Sequence, residues 1–195
     1  LFISSCNVST KKINKSVLII EDFNLNHYSK NGTKVYMLES PYSVFNQTDQ
    51  SYSLKKTNIK FFDKEDVKYN VNSDSAMLLN NKFLELKGNV EINDFNNNKT
   101  IIKSNNLFWD IDKSEFILEG KVSLVNNIIN LSSSKASFDK KDDIILFYNP
   151  IKYNYKDEEG IRKYNISSEN AYYNISTKDV IFKSKNDKVK SKLIF

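Results

Sequence analysis

The sequence predicts an all-β protein, and three observations support this. Two segments alternate between apolar and polar residues over nine positions, and period two is typical of strands buried on one side. Turn-forming clusters such as Asn80-Asn81 separate the segments at regular distances. One short motif returns at intervals of roughly 30–35 residues, as in repeat architectures. We therefore expect about twelve to fifteen strands arranged as stacked hairpins of about 30 residues.

The repeated motif is a serine, two mostly polar residues and then a small or apolar residue. Its copies begin at Ser73, Ser104, Ser133 and Ser168, with a looser first copy at residues 39–44. In two cases the strand that follows carries a glycine between apolar positions, at Gly88 and at Gly120. A glycine inside a strand marks a bend, a bulge or a close approach of backbones. We therefore expect the sheet to fold over at these glycines, as when one strand passes between two packed sheets.

The strands around the two glycines have one apolar face. It is formed by Leu84, Leu86, Val90, Ile92, Phe116, Leu118, Val122 and Leu124. The residues between them, such as Glu85 and Glu119, are mostly polar. The predicted fold is an open β-jellyroll or sandwich of two antiparallel sheets, with these faces turned inward. Such an interior is either packed on itself or holds a long apolar ligand, and the pattern favours neither.

Two local features shape the N-terminal hairpins. Asn31-Gly32 predicts a type I′ turn, because both residues accept a positive φ. Pro41 lies within the apolar segment 35–45. Because proline has no N–H for the ladder, we expect a pair of strands there, broken near Pro41.

The N-terminal residues predict a lipid anchor. Residues 1–6 resemble the end of an apolar signal-peptide core followed by a bacterial lipobox, in which Cys6 is acylated. The polar residues 7–15 suit a tether, whereas the alternative is a chance cysteine in a frayed terminus. No other segment approaches the ~20 apolar residues of a membrane-spanning helix. We expect three parts: a signal-peptide remnant, lipobox and tether at 1–15, the β-domain at 16–187, and a C-terminal strand or tail at 188–195.

Composition argues against several function classes. The net charge is +5, but the lysines are scattered among nearly as many acids, so no nucleic-acid interface is expected. The chain has one Cys and one His, which excludes an internal disulfide framework and gives no cluster with metal-ligand spacing. No Ser-His-Asp set and no phosphate-binding glycine loop are found. We expect neither an enzyme nor a cofactor or metal.

The two copies of Ser-x-x-Ala/Leu followed by Leu-x-Gly-x-Val, at 73–92 and 104–124, resemble the LptC family of lipopolysaccharide-export proteins. They are also similar to the wider LptA/LptC/OstA superfamily, and the resemblance covers roughly residues 21–183. It implies an open β-jellyroll without catalytic residues, with the acyl chains of lipid A lying between its sheets. The best-known members are held by an N-terminal transmembrane helix, so an acylated Cys6 would be a departure.

The resemblance also implies partners and a location. The protein would be an inner-membrane lipoprotein of the periplasm that takes lipopolysaccharide from an ABC transporter and passes it to an LptA-like bridge. The eight apolar residues above would line the lipid site. The docking edge would be Val180, Ile181 and Phe182, or the tail from Val189 to Phe195. Two alternatives stay open: a soluble LptA-like bridge, and a surface lipoprotein that binds only protein.

Overall fold

The computed structural model describes residues 12–14, 17–94, 100–139, 143–150, 152–157, 160–185 and 189–194. The all-β prediction is confirmed. The fifteen strands are β1 (Lys12–Asn14), β2 (Val17–Tyr28), β3 (Lys34–Asn46), β4 (Ser51–Asp63), β5 (Asp66–Leu79), β6 (Phe83–Asp94), β7 (Ile101–Asp110), β8 (Glu115–Val125), β9 (Ile129–Asp139), β10 (Ile144–Tyr148), β11 (Lys152–Asp157), β12 (Gly160–Ser167), β13 (Asn170–Asn174), β14 (Val180–Lys183) and β15 (Lys190–Ile194).

All fifteen strands belong to one hydrogen-bonded antiparallel sheet. Strands β1 to β10 pair in chain order, and β13 and β14 continue from β10. β9 pairs with β10 through residues 135–139 and with β11 through residues 129–132. Strands β12 and β15 then continue from β11. Thus β10 and β11 are two halves of one interrupted long strand, and the same holds for β13 with β12 and for β14 with β15.

The sheet is folded into two layers. In a flat sheet β3 and β7 would lie about 19 Å apart, because neighbouring strands are about 4.8 Å apart. The ring centroids of Tyr36 on β3 and Trp109 on β7 are nevertheless only 4.9 Å apart. Each long strand gives one half to each layer, and the two sheets of the predicted jellyroll are these two layers of one continuous sheet.

The first layer contains residues 17–21, 42–46, 51–55, 75–79, 83–87, 106–110, 115–119 and 135–139 with β10, β13 and β14. The second layer contains the other strand halves with β11, β12 and β15. We call the line of bends between the layers the spine. We call the opposite edge, where the hairpin ends of the two layers approach each other, the mouth.

The repeated serine motif forms the spine. In every copy the serine Oγ donates a hydrogen bond to the carbonyl oxygen two residues later: Ser40 to Tyr42 (2.7 Å), Ser73 to Ser75 (3.0 Å), Ser104 to Asn106 (2.9 Å), Ser133 to Lys135 (2.7 Å) and Ser168 to Asn170 (3.2 Å). This bond replaces a ladder bond where the strand crosses from one layer to the other. The sequence period is therefore the period of layer crossings.

The strands between the serine strands bend by positive φ angles. Their residues at the spine are Asp22, Lys56, Gly88, Gly120 and Asn149. At Gly88 and Gly120 φ is +75°, and β6 and β8 each have one more residue than the next strand there. This is a glycine β-bulge, which bends the strand and strengthens its twist. The predicted folding over at both glycines is confirmed.

The two local predictions at the N-terminal hairpins are wrong in detail. Asn31-Gly32 does lie in a hairpin, but residues 29–33 form the loop and only Gly32 has a positive φ, so the turn is not type I′. A two-residue turn with both φ angles positive occurs instead at Asn80-Asn81. β3 runs through Pro41 without a break. Pro41 lies at the spine, between the pairs that Glu39 and Tyr42 make with β4, so its missing N–H costs no ladder bond.

Candidate functional site

The predicted apolar face lines the interior between the two layers. Seven of its eight residues are buried and Ile92 is half-buried against the core. In the first layer, Leu86 lies opposite Leu107, which in turn lies opposite Leu118. In the second layer, Ile92 lies opposite Ile102. The structure thus brings all eight residues to one continuous apolar surface, which the spine encloses on one side.

A cavity of about 60 Å³ lies in this interior. The second layer contributes Phe61, Tyr69, Val71, Ile92 and Ile102, and the first layer and its turns contribute Leu107, Phe116, Leu118, Phe138, Ile145 and Ile175. A dry cavity of about 150 Å³ holds one benzene ring. The space between the closed layers therefore matches an apolar group in chemistry but is too small for an acyl chain.

Four aromatic side chains close the mouth on the side of the N-terminal strands. We call Tyr36, Phe61, Trp109 and Phe116 the aromatic cluster. The rings of Tyr36 and Phe61, from the second layer, lie 4.9 Å and 5.0 Å from Trp109 of the first layer. Phe116 stacks on Trp109 at 5.3 Å. Each such pair stabilises by about 0.5–1.5 kcal/mol beyond its buried area, so this part of the mouth is firmly closed.

Burial shapes the chemistry of the cluster. Burial, and to a smaller extent the carboxylate of Asp112, raise the pKa of the Tyr36 phenol to about 12. Asp112 lies in the turn after β7, on the first-layer side of the mouth, whereas Tyr36 is in the second layer. The indole Nε1 of Trp109 is buried without a hydrogen-bond partner among the described residues. The cluster therefore favours neutral groups.

Beyond the aromatic cluster, polar and single aromatic contacts join the layers. Lys68 Nζ of β5 lies 4.0 Å from Asp143 Oδ1 in the turn before β10. The side-chain amide of Asn126, after β8, donates to the hydroxyl of Tyr173 on β13 at 3.2 Å. Near the C-terminal end, Tyr153 and Phe182 meet edge to face at 5.2 Å. This half of the mouth is closed by isolated contacts rather than by a cluster.

The outer surface of the second layer is polar. One row across it carries Asn24, Glu39, Asn58, Asn72, Glu91, Lys103 and Ser123. Lys103 pairs with Glu91 at 2.9 Å, and this hydrogen bond, followed by one from Asn93, lowers the pKa of the Glu91 carboxyl. The outer face of the second layer therefore presents amides and paired opposite charges to water.

The predicted docking edge lies at the end of the sheet. β14, which contains Val180, Ile181 and Phe182, pairs with β13, and within the described ranges no strand pairs with its other side. The side chain of Ile181 is 55% exposed. In the other half of the sheet β15 holds the equivalent end position beside β12. Among the described residues, both layers therefore end, on the C-terminal side, in a strand that is paired on one side only.

Several features lie outside what the sequence could locate. Trp109 packs in the core at the end of β7, and the sequence around it does not indicate its partners Tyr36 and Phe61. They come from strands separated from Trp109 by 48 or more residues, and no local pattern signals this contact.

Cys6 lies outside the described residues. In the described part of the chain no group of His, Cys, Asp and Glu is placed to hold a metal ion, and no helix is long and apolar enough to cross a membrane.

The comparisons agree with this architecture. The family described as lipopolysaccharide-assembly, LptC-related, matches residues 2–139, more than two thirds of the chain. No curated protein sequence matches it. The match includes the spine from its first serine to Ser133 and all eight interior residues. The chain therefore belongs to the LptC-related family of lipopolysaccharide-assembly proteins, non-enzymatic transport components associated with the periplasmic side of the inner membrane.

Proposed function

We propose that this protein is a passive relay that holds the acyl chains of lipopolysaccharide between its two layers and passes the molecule along the sheet. It would receive lipopolysaccharide from the inner-membrane ABC transporter and deliver it to an LptA-like bridge. The observation that carries the proposal is the continuous apolar interior with its apolar cavity. Shielding one ~12-carbon chain from water stabilises by about 10 kcal/mol at ~0.8 kcal/mol per CH₂. A chain bound this strongly leaves only when the next molecule displaces it.

Site-specific photo-crosslinking tests the lipid site. A photoreactive residue at Leu86 or Leu118, both 1% exposed, should capture lipopolysaccharide. The matched controls are Glu85 and Glu119, next to these positions on the outer face, which should capture none. Unfolding curves of each variant show whether the fold survives. Equal capture from both faces would refute the interior site, and no capture from either would favour a packed sandwich that binds only protein.

The proposed anchor is the acylated Cys6. An acyl anchor would tether the β-domain at the inner membrane. One acyl chain binds a membrane only marginally, so a stable anchor needs the several chains of a mature lipoprotein. Cells producing the full-length protein should incorporate labelled palmitate, and Cys6→Ala should abolish both the label and membrane association. If the variant keeps both, another segment anchors the protein.

The proposed partner contact is strand addition at the open edge of β14, through Val180, Ile181 and Phe182. An unpaired edge offers free N–H and C=O groups to a strand of another chain. Ile181→Pro removes a donor from this strand, so the variant should still bind lipopolysaccharide but lose an LptA-like partner in a pull-down. Deletion of residues 188–195 tests the alternative edge. If both variants retain the partner, docking occurs elsewhere.

We also propose the division into a tether at 1–15, a β-domain at 16–187 and a C-terminal strand at 188–195. The pairing of β15 with β12 favours a strand over a free tail in the last part. Limited proteolysis should release a stable fragment that begins near residue 16. A first cut inside the sheet would contradict this division.

A further inference from the structure

The proposed lipid site cannot be used as it stands. The cavity of about 60 Å³ is smaller than the space of a single benzene ring, about 150 Å³. The layers must therefore separate before an acyl chain lies between them. They are covalently continuous along the spine, so separation happens at the mouth. The contacts that close the mouth decide where it opens.

Two unlike closures lie next to each other along the cavity. Phe61 and Phe116 of the aromatic cluster line it, and so do Tyr69 and Ile175. Tyr69 lies directly opposite Phe61 on the neighbouring strand. Tyr69 directly follows Lys68 on β5, and the backbone N–H of Ile175 donates to the carbonyl of Asp143 at 2.9 Å. The Lys68–Asp143 ion pair therefore borders the cavity beside the aromatic cluster, on the next strand of the second layer.

The two closures differ greatly in strength. The aromatic cluster consists of four buried or nearly buried rings in mutual contact, and opening it would expose all of them to water. Lys68 and Asp143 meet at 4.0 Å with side chains 31% and 43% exposed. Ion pairs with such exposure stabilise weakly and are screened by salt. Separation of the layers therefore starts at the ion pair.

We propose that the Lys68–Asp143 pair is a latch: the mouth opens at this pair to admit the acyl chain, while the aromatic cluster stays closed. This inference rests on the proposed lipid-binding function and specifies where and how that site is controlled. The moving parts are the start of β5 around Lys68 in the second layer and Asp143 with the adjoining strand β10 in the first. The spine at Ser73 and Ser133 is the line about which they separate.

Hydrogen–deuterium exchange tests the latch without any lipid. Asp143→Asn removes the charge and keeps the shape, so amides in residues 66–72 and 143–148 should exchange about two- to fivefold faster, in line with the loss of a weak ion pair. Amides in residues 34–39, beside the aromatic cluster, should not change. The matched control is Lys113→Gln, which breaks the Lys113–Asp110 pair within one turn of the first layer. Unchanged exchange in Asp143→Asn, or an equal rise in the control, overturns the latch.

Uptake of fluorescent lipopolysaccharide then connects the latch to function. Asp143→Asn should take up the probe about two- to fivefold faster than the wild type at low salt, and added salt should accelerate only the wild type. In a Cys6→Ser background, cysteines at 68 and 143 joined by a cleavable linker should block uptake until the linker is cut. A linker between positions 82 and 113, both on the first layer, should not block it. If uptake is normal with the mouth linked, the latch is wrong although the lipid function stands. If the exchange result holds but the wild type takes up no probe, the mouth does open at this pair, but the lipid function is wrong and with it the role of the latch in admitting an acyl chain.

Discussion

The two long edges of this folded sheet are built in opposite ways. Along the spine, five serines make the same hydrogen bond to the carbonyl two residues later, and the intervening strands bend through positive φ angles. Along the mouth, no contact between the layers is repeated among the described residues: an aromatic cluster, an ion pair, an amide–hydroxyl bond and a ring pair follow one another. The spine is a periodic structure, whereas the mouth is a series of individual contacts.

The spine therefore determines the fold, whereas the mouth determines where the layers can open. A periodic spine gives each hairpin the same geometry, so no single repeat can act as a switch. Individual contacts of unequal strength let one part of the mouth open while another stays closed. Substitutions on the two edges should therefore differ in pattern as well as in size, and the following experiments test that contrast from the largest expected effect to the smallest.

Trp109→Ala should have the largest effect. Trp109 contacts Tyr36, Phe61 and Phe116 and is almost fully buried, and Trp→Ala in a core costs about 3–5 kcal/mol in the free energy of unfolding. Urea unfolding followed by circular dichroism measures this loss. Trp109→Phe should cost less, because it keeps a ring and removes a buried N–H that has no partner among the described residues. Equal losses in the two variants would mean that the ring contacts do not hold the mouth.

Alkaline pH should lower the free energy of unfolding through Tyr36 of the same cluster. The pKa of Tyr36 is raised to about 12 in the folded protein, against about 10 in the unfolded chain. Below pH 10 both states keep the proton. Between pH 10 and 12 the unfolded state loses its proton first, so the stabilisation, at most about 2.7 kcal/mol at 1.36 kcal/mol per pKa unit, is lost as pH rises. In Tyr36→Phe the free energy of unfolding should lack this pH-dependent part. If it falls with pH as steeply as in the wild type, the effect does not come from Tyr36.

On the spine, Gly120→Ala should cost about 2–3 kcal/mol. An alanine there would adopt φ +75° and place its Cβ 3.0 Å from the Cβ of Asn105. Gly32→Ala is a matched control, because Gly32 has φ +82° and open space around it. The control should lose only the backbone component, about 1–2 kcal/mol. Urea titration followed by the fluorescence of the single tryptophan measures both. If Gly32→Ala is as destabilised as Gly120→Ala, the close approach at the spine contributes nothing.

The smallest effects should come from the spine serines. Ser73→Ala and Ser104→Ala each remove one hydrogen bond and should each lose about 0.5–1.5 kcal/mol. Their losses should be nearly equal, because the two bonds have nearly the same length, 3.0 Å and 2.9 Å. Ser133→Ala should lose more, since Ser133 Oγ also accepts a hydrogen bond from the backbone N–H of Lys135. Unrelated losses at Ser73 and Ser104 would show that the repeats are not equivalent.

The periodic edge is also the part that the sequence could predict. Gly88 and Gly120 stand out because each interrupts an alternating apolar face, and both mark the layer crossing. The serine motif is visible in the sequence. Its hydrogen bond to the carbonyl two residues later is not, because that bond forms only where the strand bends. The predicted break at Pro41 is wrong because a strand accepts proline where the ladder has a gap. This gap exists only because β3 crosses there from one layer to the other. Asn31-Gly32 carries a strong local turn signal, but the loop of residues 29–33 determines its geometry.

The candidate site was predicted in part, for a related reason. Alternation places Leu86 and Leu118 on the inner face, and this follows from period two alone. The contacts between the layers in the aromatic cluster and in the Lys68–Asp143 pair join residues that are distant in the chain, 48 to 75 positions apart. Such contacts depend on the curvature of the whole sheet, which accumulates over many strands. A single sequence offers no local signal for them.

The equivalence of the spine crossings has a consequence for the length of the molecule. Since every serine crossing has the same form, a hairpin inserted between two crossings would leave its neighbours unchanged. Each added hairpin would extend the array by two strand spacings, about 10 Å. The length of the array is thus set by the number of copies of a short motif, and evolution can adjust it by duplicating or deleting one.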